Sequence, residues 1–157
     1  MTHEQRPDIG GEYGPYRQSE RGHIYKAWSD KLIENGLAYH CFCSEEELTA
    51  KKELANLEKR APHYDGKCRN LSRAEANAKL TAGAEAVVRF KAPLKSYAFN
   101  DHVRGRVEFP EGMVGDFVIM RASGVPVYNY AVVVDDASMK ISHVIRAEEH
   151  LPNTLRQ

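Results

Sequence analysis

Three cysteines, two of them adjacent as Cys41-Phe42-Cys43 and the third at Cys68, are the residues of this chain best suited to hold a metal ion. Thiolates are soft donors, and zinc takes four ligands in a tetrahedron. Cys-x-Cys sets two sulfurs side by side at the end of a short apolar run, and Cys68 returns from a turn. On chemistry alone a histidine is the favoured fourth donor, and His40 and His63 lie close in sequence. Three free thiols without metal are the simpler alternative. A second cluster lies towards the carboxyl end, where Tyr128 opens an apolar run ending in Asp135-Asp136 and Arg146 follows Val144-Ile145. The planar fork of an arginine matches a carboxylate with two hydrogen bonds. Glu148, Glu149 and His150 come directly after it. Basic residues are scattered elsewhere. Arg17 and Arg21 either coat a helix start or face a polyanion, and Arg104, Arg106, Lys91 and Lys95 could make a small face for backbone phosphates.

These groups need elements to position them. Residues 1–16, rich in Gly, Pro and charge, read as an extended or looped entry. Ser19 is expected to cap a helix over residues 20–35, with Ile24, Trp28, Leu32 and Ile33 on its apolar face and Asn35-Gly36 as its stop. A strand over 37–42 then leads into the cysteine pair. Ser44 with Glu47, and Ser72 with Glu75, carry the spacing of capping boxes for helices over 44–60 and 72–81. Strands are expected over 87–90, 106–109, 117–120, 127–134 and 141–146, with 93–105 as a turn-rich stretch and Ser123-Gly124 as a hairpin turn. Asp135 then falls in a solvated loop and Asp136 at a strand end. Polar clusters at the ends of buried strands are where open α/β sheets bind ligands.

Composition narrows the class. A formal charge of +0 provides no bulk field towards nucleic acid, so any such contact must be local. No apolar run approaches the roughly 18 residues of a membrane span. An odd cysteine count argues against a disulfide framework and for reduced thiols, hence a cytoplasmic chain.

The ordered series Gly14-Pro15-Tyr16-Arg17-Gln18-Ser19-Glu20-Arg21, Tyr64-Asp65-Gly66-Lys67-Cys68-Arg69, Asn100-Asp101-His102-Val103-Arg104-Gly105, Tyr128-Asn129-Tyr130-Ala131 and residues 143–157 resembles the glutamyl-tRNA synthetases, a class I aminoacyl-tRNA synthetase family. The resemblance runs from about residue 7 to residue 157. It implies an α/β fold: part of a Rossmann-type catalytic domain carrying an inserted α+β connective subdomain with a zinc site. The expected division is 1–36 and 112–157 for the catalytic segments and 37–111 for the insertion. It implies Cys41, Cys43, Tyr64 and Cys68 as zinc ligands; some relatives place a histidine where this chain has Asn70. It implies Tyr128, Arg146, Glu149 and His150 on the glutamate and ATP side, and Arg17, Arg21 and Arg104 towards tRNA. Val132 stands where some members have asparagine, and Ala147 where many have glycine.

The implied partners are glutamate, ATP with magnesium, and the acceptor end of tRNA(Glu), handled by a monomer without a membrane. Neither a His-Ile-Gly-His element nor a Lys-Met-Ser-Lys-Ser-like element occurs in the chain. The expectation is therefore an internal piece of the catalytic region that does not aminoacylate alone. Two alternatives stand beside it. One is the shortened glutamyl-Q tRNA(Asp) synthetase paralogue, which modifies a tRNA nucleoside; the other is a non-catalytic zinc module that binds tRNA.

Overall fold

The computed structural model describes residues 9–157, so the first half of the expected entry loop lies outside the described residues. Helix α1 (Gly22–Glu34) leads to strand β1 (Ala38–Cys41), then α2 (Glu45–Leu57) and α3 (Arg73–Thr81). Strands β2 (Val87–Phe90), β3 (Tyr97–Asp101), β4 (Gly105–Phe109) and β5 (Phe117–Met120) follow, then α4 (Tyr128–Ser138) and the short α5 (Leu151–Thr154). Strands β1, β2 and β5 form one antiparallel sheet in that order, and β3 and β4 form a separate hairpin.

The register of the small sheet separates its two faces. Ala38 pairs with Phe90 and His40 with Val88, while Tyr39 pairs with Arg89 and Cys41 with Val87. Residues directly opposite share a face, and successive residues alternate. Ala38, Val88 and Phe90 therefore join the main core with Tyr25, Ile119, Met120, Tyr130, Ala131 and Val134, beneath α1 and α4. Tyr39, Cys41 and Val87 face the other way, towards Cys43, Tyr64, Cys68 and Leu71. One face of the sheet carries the apolar core and the other carries the thiols.

Local chemistry explains the helix ends. Ser44 Oγ accepts from Glu47 N–H at 3.2 Å, and Ser72 with Glu75 closes a reciprocal capping box. Ser19 makes no such cap: residues Gln18–Glu20 form a 3-10 turn, and Arg21 occupies the N-cap position of α1. At the other end of α1, Leu37 N–H bonds Leu32 O at 2.8 Å and Gly36 N–H bonds Ile33 O at 3.0 Å, around Gly36 at φ +70°. The same paired bonds end α2, where Lys59 takes the left-handed position at φ 56°. A left-handed L-residue costs about 1–2 kcal/mol. Lys59 is exposed, so Lys59→Gly is expected to raise the melting temperature by about 2–4 °C, the usual response to ~1 kcal/mol at this size. An unchanged or lower melting curve would contradict that reading.

Three expectations about strands and turns fail. The run 127–134 is not a strand: Tyr128–Ser138 is helical, with Tyr130, Ala131 and Val134 buried. Those positions, with Val127 packed against them, repeat at helical spacing, and tertiary packing outweighs the reluctance of Val132-Val133-Val134 to be helical. Residues 141–146 carry no strand, because no described strand pairs with them to complete a ladder. Strand β3 lies inside the stretch read as turns, paired with β4 from Tyr97↔Phe109 to Asp101↔Gly105. The Ser123-Gly124 turn is present, with Arg121 N–H to Val125 O at 2.9 Å, but its returning arm is a single bridge from Pro126 to Met120. On α1 the buried residues are Tyr25 and Ser29, whereas Trp28 is exposed beneath Lys31.

Candidate metal centre and the carboxyl-terminal cluster

Strand β1 delivers Cys41 at its last position, the chain bends through Cys43 into the Ser44 cap, and a turn after α2 returns Tyr64 and Cys68. The three Sγ atoms lie within 4.8 Å of one another, with Cys43 and Cys68 Sγ 3.8 Å apart. Tyr64 Oη stands 3.4 Å from Cys41 Sγ and 3.3 Å from Cys43 Sγ, and it accepts from Cys68 N–H at 3.0 Å. A zinc tetrahedron with Zn–S of about 2.3 Å and Zn–O of about 2.0 Å has edges of about 3.8 Å and 3.5 Å. The donor set therefore fits such an ion in type and spacing.

Neither histidine joins this group. His40 sits one residue from Cys41 on β1 and so belongs to the opposite face of the sheet. His63 packs over Gly115 so closely that a Cβ there would lie 2.9 Å from His63 Cβ. Among the described residues, the cysteines are the one cluster of His, Cys, Asp or Glu suited to a metal.

The electrostatics of the cluster are uneven. Burial raises the Cys41 thiol, but the Tyr64 hydroxyl, the Cys43 backbone and Arg89 outweigh it and leave Cys41 below the usual thiol value. Burial and the neighbouring sulfurs push Cys43 up to about 11, and burial pushes the Tyr64 phenol up as well. A metal ion would have to displace protons here, so its binding strengthens as pH rises.

Around the cluster lies a network that the sequence did not disclose. Asp116, just before β5, accepts from Tyr39 Oη at 2.6 Å and from Ala92 N–H at 2.9 Å, and it pairs with Arg69 beside Cys68. This carboxylate ties the returning turn to the sheet. A cleft of about 340 Å³ opens next to it, lined in part by Lys51, Lys52, His63, Arg89 and Arg156.

The carboxyl-terminal cluster is more open. Tyr128 is 60% exposed at the first turn of α4 and so is no core tyrosine. Arg146 donates to Gln157 Oε1 at 2.7 Å and to the Thr154 hydroxyl, and Gln157 Nε2 donates to Asn129 Oδ1 at 3.1 Å. That chain of bonds holds the guanidinium beside the start of α4. Asp136 lies near: burial and Asp135 raise its carboxyl, and Arg146 opposes the rise. Glu149 and His150 occupy a 3-10 turn with His150 Nε2 4.0 Å from Glu149 Oε1, and His150 Nδ1 is 3.4 Å from Asn153 Nδ2.

The basic residues divide. Arg21 is 1% exposed, donating from Nε to Asp135 Oδ1 at 2.6 Å and from Nη1 to Pro15 O at 2.7 Å. It does not face a polyanion, and Asp135 is not a solvated loop residue, since it also accepts from Tyr25 Oη at 2.9 Å. Burial and that carboxylate push the Tyr25 phenol up to about 12. Arg17 is exposed at the 3-10 turn. Arg104 pairs with Glu148 and Arg106 with Glu108, while Lys91 and Lys95 lie over the rings of Tyr39 and Tyr97.

Residues 4–157 match the family described as tRNA synthetases class I (E and Q), catalytic domain. The chain is 48% identical over 158 aligned positions to the glutamate–tRNA ligase of Bacillus velezensis, covering 100% of this chain and 33% of that protein. It is 52% identical over 155 positions to glutamate–tRNA ligase 1 of Syntrophomonas wolfei, covering 98% and 31%. A crystal structure of a glutamate tRNA ligase from Elizabethkingia meningosepticum, in complex with its amino acid, superposes with a TM-score of 0.83 at 35% identity, covering 94% of this chain and 31% of that one. The chain thus spans about a third of the length of the curated relatives it matches. On sequence and fold together, it belongs to the class I tRNA synthetases of the E and Q group, within their catalytic domain.

Proposed function

We propose that this chain is part of a cytoplasmic, monomeric glutamate–tRNA ligase. That enzyme reacts glutamate with ATP to give glutamyl-adenylate and pyrophosphate, then passes the glutamyl group to the 3′ end of tRNA(Glu) with release of AMP. The observation that carries the reading is identity near 50% with glutamate–tRNA ligases along essentially the whole chain. In this reading Arg146, held by Thr154 and Gln157, offers its fork to a substrate carboxylate, and Tyr128, Glu149 and His150 line the glutamate and ATP side. Arg17 and Arg104 face the acceptor end of tRNA. Residues 37–111 form the inserted connective subdomain of a Rossmann-type domain, with β5 of the following segment completing its sheet.

Zinc held by Cys41, Cys43, Tyr64 and Cys68 would be structural, because a site with four protein donors leaves no position open for substrate. Magnesium prefers oxygen donors and substrate phosphates, so it belongs with ATP and not with the thiols. The test is a chimera in which residues 4–157 replace the matching stretch of the Bacillus velezensis ligase. The chimera is expected to charge tRNA(Glu) with glutamate, and to lose that activity by at least about 100-fold with Arg146→Ala, the scale of a lost charge-assisted bidentate contact. A folded chimera that forms no glutamyl-tRNA contradicts the proposal.

A further inference from the structure

We propose that Arg89 is the positioning residue of the thiol cluster: it holds the Tyr64 ring against the cysteines and supplies the positive charge that offsets theirs. The inference rests on the zinc reading above. Strand register is its origin. Arg89 lies opposite Tyr39 on β2, which puts it on the same face as Cys41, diagonally across the β1–β2 pair. Its guanidinium carbon stands 4.0 Å from the centre of the Tyr64 ring.

Arg89 is 7% exposed, and a buried guanidinium ordinarily has a carboxylate partner. Among the described residues this one has none: Nη1 donates to the Asp116 backbone carbonyl at 3.4 Å, and Nε has no hydrogen-bond partner. The other cations near Cys68 are already engaged, Lys67 with Glu47 and Arg69 with Asp116. The anionic groups left for Arg89 are the sulfurs. Three thiolates and a divalent ion sum to one negative charge with Tyr64 as a phenol and to two with Tyr64 as a phenolate; either way the site is anionic, and one arginine offsets one charge of it. Stacking on the phenol ring also fixes the direction from which Tyr64 Oη approaches the cluster. Outer contacts of this kind orient metal ligands and tune affinity.

The test uses the purified chain with Arg89→Met and Arg89→Lys variants, their folding checked by circular dichroism. Zinc affinity is read by competition with a chromophoric chelator, and ligand geometry by the visible spectrum of the cobalt(II)-loaded chain. Arg89→Met is expected to weaken zinc about 10- to 100-fold and to alter the cobalt bands. Arg89→Lys should recover part of the affinity through its charge but not the wild-type spectrum, because an ammonium does not stack as a plane. Wild-type affinity and spectrum in folded Arg89→Met would overturn the proposal. If Arg89→Met does not fold, an unchanged cobalt spectrum in Arg89→Lys does the same. A wild-type chain that takes up no zinc removes the metal reading and this inference together, whereas zinc in the wild type with an indifferent Arg89 removes the inference alone.

Discussion

Replacing Cys68 with serine is expected to abolish the proposed zinc binding and to lower the melting temperature by roughly 10 °C. The three thiols and Tyr64 close the second cluster of the fold, packed with Tyr39, Leu71 and Val87 on the face of the sheet away from α1 and α4. Apart from this cluster, the turn carrying Cys68 is secured to the sheet mainly through Arg69 and Asp116. Structural zinc sites contribute folding energy directly. Serine is a poorer donor than a thiolate, so affinity should fall at least about 100-fold, beyond the effect of losing an outer contact. A loss of about 3 kcal/mol corresponds to the stated shift in a chain of this size. The same destabilisation should follow chelation of the wild type, and it should shrink as pH falls, because protons compete for the sulfurs and the metal then contributes less. Thermal unfolding with and without chelator measures all of this. Identical melting curves for wild type and Cys68→Ser, both indifferent to chelator, would show that the cysteines hold nothing.

The Arg21→Met variant should be as damaging, for a different reason. Arg21 is buried at the start of α1 and reaches Asp135 on α4, 114 residues away in sequence, together with the carbonyl of Pro15. Tyr25 Oη donates to the same carboxylate. Removing the cation leaves a partly buried carboxylate with the tyrosine as its remaining described partner. Breaking a buried pair from one side costs about 3–5 kcal/mol; Asp135 keeps 22% exposure, so the lower end applies. The melting temperature should drop by about 6–12 °C. Asp135→Leu combined with Arg21→Met should recover part of that loss, since no charge is then stranded. If Arg21→Met melts like the wild type, the clamp between α1 and α4 contributes nothing.

What the sequence revealed and what it hid follow from the range of the interactions. The helices after Ser44 and Ser72 were legible because a cap is written within four residues. The thiol cluster was legible because soft ligands at short spacing announce themselves, whereas the placing of Tyr64 Oη beside the sulfurs and of His40 on the other face of β1 depends on tertiary structure. Helix α4 was misread because Val132-Val133-Val134 favours a strand locally, while the burial of Tyr130, Ala131 and Val134 that decides the matter is tertiary. The half-buried alternation of Tyr97, Phe99 and Asp101 was present but hidden among turn-forming neighbours. Arg21 was misread as a cation facing tRNA and Asp116 was not singled out, since their partners lie far along the chain. No local pattern marks an arginine that will be buried rather than exposed.

The most direct measurement is X-ray absorption at the zinc edge on the metal-loaded chain. One zinc per chain with three sulfurs at about 2.3 Å and a single oxygen at about 2.0 Å is the predicted result, and the oxygen should disappear in Tyr64→Phe. Imidazole scattering from His40 or His63, or a chain that retains no zinc with its thiols reduced, would contradict it.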